Sequence, residues 1–133
     1  MSVSKSTQNK PTFGRYGKSF QEGLVQLIYQ DRPFADQITE VLDLNFLELE
    51  YLRVFTDKIT SYRDKYSKHT SANALATILK TELDSEEAVI QQQVKEYFTR
   101  ITTGELDNEE YIKEKSLDFC RKQNLKEAML QSV

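Results

Sequence analysis

Residues 52–66 read LRVFTDKITSYRDKY, and their large apolar side chains recur at intervals of three and four residues. This spacing places five such side chains on one side of an α-helix, with charged and hydroxylated residues on the other side. The five are Leu52, Phe55, Ile59, Tyr62 and Tyr66. We predict that this helix begins near residue 47 and is the central helix of a small bundle.

The composition of the whole chain favours an all-α fold around that helix. The 133 residues allow one domain, which is large enough to bury a core without a disulfide or a metal ion. The chain contains only four glycines and two prolines, and no proline follows Pro33. Because long segments without these residues indicate helices, we predict a compact bundle of about six helices.

The basic residues are unevenly distributed along the chain. Four of them (Lys5, Lys10, Arg15 and Lys18) lie in the first 18 residues, which contain no acid. The remainder carries the other 14 of the 18 basic side chains against all 21 acidic ones, a formal charge of −7. We predict a flexible basic arm over residues 1–17, because that segment is polar and can bury little, and a helical head domain over residues 18–133. Phe13 and Tyr16 are the residues expected to pin the last part of the arm onto the head. The acidic head does not resemble a DNA-binding surface.

Polar residues mark the expected starts of the helices. Three pairs have the spacing of a capping box, in which two side chains satisfy free backbone amides at a helix start. They are Ser19 with Glu22, Asp84 with Glu87, and Asp107 with Glu110. Pro33 suits the first turn of the second helix, and Thr70 or Ser71 is the expected cap of the fourth.

The last predicted helix is apolar on more than one side. Its apolar residues spread over more than half of the circumference instead of forming one stripe. They are Tyr111, Ile112, Leu117, Phe119, Cys120, Leu125, Ala128, Met129 and Leu130. Such a helix either packs on two sides or continues beyond the head to meet a partner. It also reaches Val133 without a terminal glycine or proline, so we predict that it is truncated there and that the chain is a fragment.

The reactive residues do not converge on a catalytic site. Gly17-Lys18-Ser19 ends like a phosphate-binding P-loop, but Thr12 stands where that motif needs a glycine, and no buried strand precedes it. His69 is the only histidine and Cys120 the only cysteine, so a metal ion would lack ligands. We interpret His69 as a surface residue and Cys120 as a buried core thiol. We therefore predict no catalytic, cofactor or metal site in this chain.

The chain shows no sign of export or membrane insertion. Its first residues do not resemble a signal peptide, and no stretch approaches the ~18 consecutive apolar residues that span a bilayer. The single cysteine excludes an internal disulfide and agrees with a reducing compartment. We predict a cytoplasmic protein without membrane contact.

Three stretches resemble one known family. They are LVQLIYQDRPFADQITEVLDLNFL at 24–47, YLRVFTDKITSYRDKYSKHTSANALATIL at 51–79 and EEYIKEKSLDFCRKQNLKEAML at 109–130. The first is similar to an opening pair of helices, and the second to a long helix with an aromatic residue (Phe55), a polar turn and a helix opening on Leu75. The third is similar to a helix that begins with a tyrosine (Tyr111). Over residues 24–130 the chain resembles the N-terminal domain of DnaB-type hexameric replicative helicases, especially those of bacteriophages.

This resemblance implies an assembly and regulatory domain of a protein that unwinds DNA with ATP. In the family, the last helix continues into a helical hairpin through which neighbouring domains form a collar around a hexameric ring. The second helix of that hairpin is missing here, so we expect weak or no self-association of this chain. The resemblance implies sister subunits and a primase or helicase loader as partners. It assigns ATP, magnesium and most DNA contacts to a motor domain after Val133. The candidate partner contacts are Leu117, Leu125, Met129 and Leu130.

Two other functions fit the same residues. A free-standing helical adaptor, such as a phage-encoded one, would bind one protein partner and would end naturally at Val133. A nucleic-acid-binding module would use the basic arm and would bind DNA with strong salt dependence. The basic arm before Ser19 is a feature that the helicase resemblance does not imply.

Overall fold

The computed structural model describes residues 11–102 and 104–131, and every regular element in that part of the chain is helical. The six α-helices are α1 (Gly17–Gln30), α2 (Arg32–Ile38), α3 (Glu50–Tyr66), α4 (Ala72–Thr81), α5 (Ala88–Ile101) and α6 (Glu109–Gln131). Short 3-10 turns at Phe13–Tyr16 and Leu44–Phe46 precede α1 and α3. The predicted all-α bundle of about six helices is confirmed.

The stripe of residues 52–66 forms α3 and enters the core with its first half. Leu52, Phe55 and Ile59 are fully buried, whereas Tyr66 is 53% exposed. The helix begins at Glu50 instead of near residue 47, because the preceding 3-10 turn is followed by extended backbone up to residue 49. The apolar spacing therefore predicted the helix correctly but not the depth to which each turn is buried.

Helix α1 shares the centre of the bundle with α3. It packs against α2, α3 and α6, and eight of its 14 residues are buried. Gly23 lies at the crossing with α6, where a Cβ atom would stand only 2.7 Å from Cδ1 of Ile112. The missing side chain therefore allows the two helices to approach closely.

The segment before α1 is held against the head by aromatic contacts. Phe13 is fully buried, and its ring centroid lies 4.5 Å from that of Phe119 in α6 and 6.1 Å from that of Phe46. The Thr12 hydroxyl accepts a hydrogen bond from the Gly14 amide at 3.0 Å and so caps the 3-10 turn. Phe13 and Tyr16 thus hold the end of the arm against the head as expected, whereas Pro11 and Arg15 in the same segment are exposed. Residues 1–10 lie outside the described residues.

Two predicted helix starts are confirmed. The Asp31 carboxylate accepts a hydrogen bond from the Phe34 amide at 3.1 Å at the start of α2, and Pro33 lies in the first turn of that helix. The Ser71 hydroxyl accepts from the Ala74 amide at 3.1 Å at the start of α4. Each of these side chains satisfies an amide that has no partner within its helix.

The capping boxes predicted for α1 and α5 are wrong. Helix α1 follows directly on the 3-10 turn and begins at Gly17, so Ser19 and Glu22 lie inside it. The N-cap of α5 is Glu87, whose side chain makes no capping hydrogen bond. In α6 the Ile112 amide donates to the Asn108 carbonyl at 3.1 Å. Asn108 is therefore the N-cap of this helix, one residue after the Asp107 that we predicted for the third capping box.

Glu22 is instead the centre of a polar network that joins α1, α3 and α5. Its carboxylate accepts hydrogen bonds from the Arg100 guanidinium at 2.9 and 3.1 Å and another from the Tyr51 hydroxyl. The Tyr97 hydroxyl donates to the Glu22 backbone carbonyl at 2.5 Å. Burial alone would raise the pKa of Glu22, but the hydrogen bonds from Arg100 and Tyr51 outweigh burial and hold that pKa below its ordinary value.

Replacing Glu22 by Gln should lower the free energy of unfolding by about 1–2 kcal/mol at neutral pH, because a neutral amide has one acceptor oxygen and no charge with which to hold Arg100 and Tyr51. Since the folded pKa is lowered, the carboxylate contributes fully above its ordinary pKa of 4.5, and this contribution disappears as the pH falls through the folded value. Urea unfolding at a series of acidic pH values measures the free energy of unfolding of the wild type and of Glu22→Gln. The difference between these two free energies should decrease below pH 4.5. If the difference in free energy of unfolding stayed constant as the pH fell, the carboxylate would not be held by the hydrogen bonds described here.

Candidate interaction surface on the last helix

The first half of α6 is built into the head. Ser116 and Cys120 are fully buried, and Ile112 is 1% exposed. The Lys113 ammonium lies 2.7 Å from the Asp31 carboxylate at the start of α2. Farther along, the Asn124 side-chain amide donates to the Val41 carbonyl at 3.1 Å. Packing and polar contacts together fix the direction in which α6 leaves the head.

The second half of α6 extends beyond the head. All described residues from 124 to 131 are exposed. Among them, Leu125 is 62% exposed, Met129 is 61% exposed and Leu130 is 73% exposed. Large apolar side chains at such exposure are unusual when several occur together, and they mark surfaces that contact another protein.

The helical register places these apolar residues on two faces. Leu125 follows Ser116 by nine residues, which at about 100° per residue puts it on the side opposite to the buried face. Met129 is one turn further along the same outward side. Leu130 lies on the same side of the helix as Ile112, which faces the head. Leu130 is nevertheless exposed, because no described residue of the head covers that part of the helix. In this half the helix is exposed on all its described sides and does not pack on two of them.

The four candidate contact residues therefore differ in position. Leu125, Met129 and Leu130 lie on the projecting half of α6, whereas Leu117 is only partly exposed and packs against the core. Charged side chains surround the outward pair, among them Lys126 and the ion pair of Lys122 with Asp118 at 3.2 Å. An apolar centre with a charged rim is the usual composition of a protein–protein interface.

Cys120 is a buried thiol, as predicted. Its side chain is fully buried, and burial with the nearby Asp43 carboxylate raises its pKa to about 12. The thiolate that reacts with alkylating reagents is therefore scarce at neutral pH.

We expect the native protein to react with iodoacetamide at least ~100-fold more slowly than the urea-unfolded protein, because both access and ionisation are suppressed. Mass spectrometry of the alkylated chain over time measures the two rates, and Cys120 is the only cysteine that contributes. Equal rates in the folded and unfolded protein would contradict the burial of this thiol.

The other candidate residues lie apart from this surface. Gly17-Lys18-Ser19 opens α1, and a 3-10 turn precedes it where a P-loop would have a strand. His69 is only partly exposed, unlike the surface residue that we predicted, because its ring contacts Arg63 and the Tyr29 carbonyl. Arg63 lies six residues before His69, but Tyr29 lies 40 residues before it, so the local pattern carried no signal for the contact with the Tyr29 carbonyl.

Neither a cluster of metal ligands nor a membrane-spanning helix accompanies this surface in the described part of the chain. Over residues 11–102 and 104–131, no three His, Cys, Asp or Glu side chains come together as metal ligands would. None of the helices in those ranges combines the length and apolar character needed to cross a membrane. Comparisons of the chain with protein-family models, curated proteins and solved structures gave no match.

Proposed function

We propose that this chain is an assembly and regulatory domain of a DnaB-type hexameric replicative helicase of bacteriophage type, and that it acts by binding other proteins. The proposal is supported by the sequence resemblance over residues 24–130 and by the six-helix fold. The observation that carries it is the projecting half of α6 with Leu125, Met129 and Leu130 exposed.

The projecting half of α6 suits recognition of a helix by a groove. In that mode one face of an amphipathic helix enters an apolar groove of the partner, and residues one turn apart act as anchors. Leu125 and Met129 have this spacing. Complete burial of one such side chain contributes about 1.5–3 kcal/mol, so the pair would contribute about 3–6 kcal/mol toward binding, and the rest of the interface would supply the remainder.

In this proposal the partners are sister subunits of the ring and a primase or helicase loader. ATP and magnesium bind in a separate motor domain, which also makes most of the DNA contacts. In this proposal the chain itself acts by binding, and it works in the cytoplasm.

The coding sequence downstream of Val133 tests this proposal directly. We expect an ATPase motor domain whose P-loop begins a few tens of residues further on. A stop codon directly after Val133 would contradict the helicase proposal. Binding of this chain to the primase or loader from the same genome, measured by calorimetry, would test the partner independently of the gene structure.

A free-standing adaptor is the second candidate, and one observation favours it. The buried residues from Phe13 to Cys120 form one continuous core, so the described helices complete a domain without help from another chain segment. An adaptor would use the same end of α6 to bind its partner. A natural chain end at Val133 together with a specific protein partner would support this candidate.

A further inference from the structure

A small basic pocket lies where α2, α3 and the turn after α3 meet. It has a volume of about 200 Å³, and it is remote in sequence from the projecting end of α6. Its lining residues are Arg32, Asp36, Arg63, Ser67, Lys68 and His69. Arg32 opens α2, Arg63 lies in the last turn of α3, and the last three residues form the turn that follows.

The contacts of His69 determine its tautomer. Its Nε2 lies 2.7 Å from the Tyr29 carbonyl oxygen, which can only accept, so Nε2 carries the proton. Its Nδ1 lies 2.6 Å from the Arg63 guanidinium, which can only donate, so Nδ1 is the acceptor. The ring therefore holds the Arg63 guanidinium in place at the pocket.

The charges of the pocket are not balanced. Arg32, Arg63 and Lys68 are cationic, and Asp36 is the one carboxylate of the lining, where it already pairs with Arg63. The nearby Asp31 carboxylate pairs with Lys113 at 2.7 Å. The lining has a formal charge of +2, on a head whose formal charge is −7 over residues 19–133.

The helix dipoles explain only part of this cluster. Arg63 and Lys68 lie at the C-terminal end of α3, where cations are favourable. Arg32 is the first residue of α2, where the free backbone amides make a cation unfavourable. The mutual repulsion of three cations that share one carboxylate decreases when a dianion binds among them.

We propose that this pocket binds a phosphate group, as free phosphate or as a phosphate monoester. Arginine side chains match the geometry of phosphate oxygens, and lysine adds a mobile point charge. The Arg32 guanidinium, the Lys68 ammonium and the Ser67 hydroxyl provide the donors, while the Arg63 guanidinium is already positioned by His69 and Asp36. This site is independent of the partner surface on α6.

His69 allows a specific test, because it is the only histidine and its ring signals in an NMR spectrum are unambiguous. We expect inorganic phosphate, added at constant ionic strength in exchange for chloride, to shift these signals in a saturable way. Arg32→Ala and Lys68→Ala should each weaken the affinity by about tenfold, since each removes a charge-assisted hydrogen bond. Neither variant removes a contact of Arg63 with His69 or Asp36.

Lys65→Ala is the matched control, because Lys65 is a cation of the same helix end that does not line the pocket. It should bind phosphate as the wild type does. Shifts that do not saturate, or that are the same in Arg32→Ala, Lys68→Ala and Lys65→Ala, would overturn the site and indicate screening only. A parallel titration with phosphoserine distinguishes the two forms of the ligand. Tighter binding of phosphoserine than of inorganic phosphate supports a phosphate monoester, and weaker binding supports free phosphate.

Discussion

Replacing Phe55 by Ala should lower the free energy of unfolding by about 3–5 kcal/mol, the largest loss that we expect from one substitution in this chain. The side chain is fully buried, and its ring centroid lies 5.0 Å from that of Tyr97 and 6.3 Å from that of Tyr29. The cavity would be difficult to fill, because the Tyr97 hydroxyl is held by the Glu22 carbonyl. The neighbouring ring cannot move inward without breaking that hydrogen bond.

Urea unfolding followed by circular dichroism measures this loss, and Tyr66→Ala is the control. Tyr66 belongs to the same apolar stripe of α3 but is 53% exposed, so its replacement should cost less than about 1 kcal/mol. Phe55→Leu keeps much of the volume and should cost less than half as much as Phe55→Ala. Equal losses of the free energy of unfolding in Phe55→Ala and Tyr66→Ala would contradict our conclusion that only the first half of α3 is buried in the core.

The sequence predicted those parts of the fold that depend on local spacing. The positions of Leu52, Phe55 and Ile59 follow from helical periodicity, and all three are buried. The Ser71 cap lies three residues before the amide that it binds, and Pro33 lies in the first turn of its helix as its position in the sequence predicted. Such signals are contained in a short window, so they can be read from one sequence.

Contacts between distant residues could not be predicted in this way. Glu22 has the spacing of a cap, but its partner Arg100 lies 78 residues away and is visible only after α1 and α5 pack. His69 looked like a surface residue, yet the Tyr29 carbonyl that holds its ring lies 40 residues before it. In both cases tertiary packing assigned the polar side chain to a role that its neighbours in the sequence do not indicate.

The candidate partner surface was partly predictable. Apolar residues on more than one side of the last helix predicted that it either packs on two sides or continues beyond the head, and in the structure its first half packs against the head while its second half is exposed. The sequence did not show where the head ends along that helix. Leu117 was therefore grouped with Leu125 and Met129, although it lies against the core.

The double variant Leu125→Gln with Met129→Gln should weaken binding to the partner by at least about 100-fold. Two side chains that each contribute about 1.5–3 kcal/mol when buried account for a change of this size, since each 1.4 kcal/mol corresponds to tenfold in the dissociation constant. Both residues are more than 60% exposed, so the head should keep its stability. Glutamine is a good helix former, so α6 should keep its helix. Calorimetry with the primase or loader measures the dissociation constant, and circular dichroism checks the helix content.

Val89→Gln is the matched control for this double variant. Val89 is also a large apolar residue, 60% exposed, but it lies in the first turn of α5 instead of on α6. It should leave the dissociation constant unchanged, because the proposed interface depends on the projecting half of α6 and not on exposed apolar area in general. An unchanged dissociation constant in the double variant would exclude the outward face of α6 as the partner surface. An equal loss in Val89→Gln would show that any lost apolar contact weakens binding, which contradicts an interface centred on Leu125 and Met129.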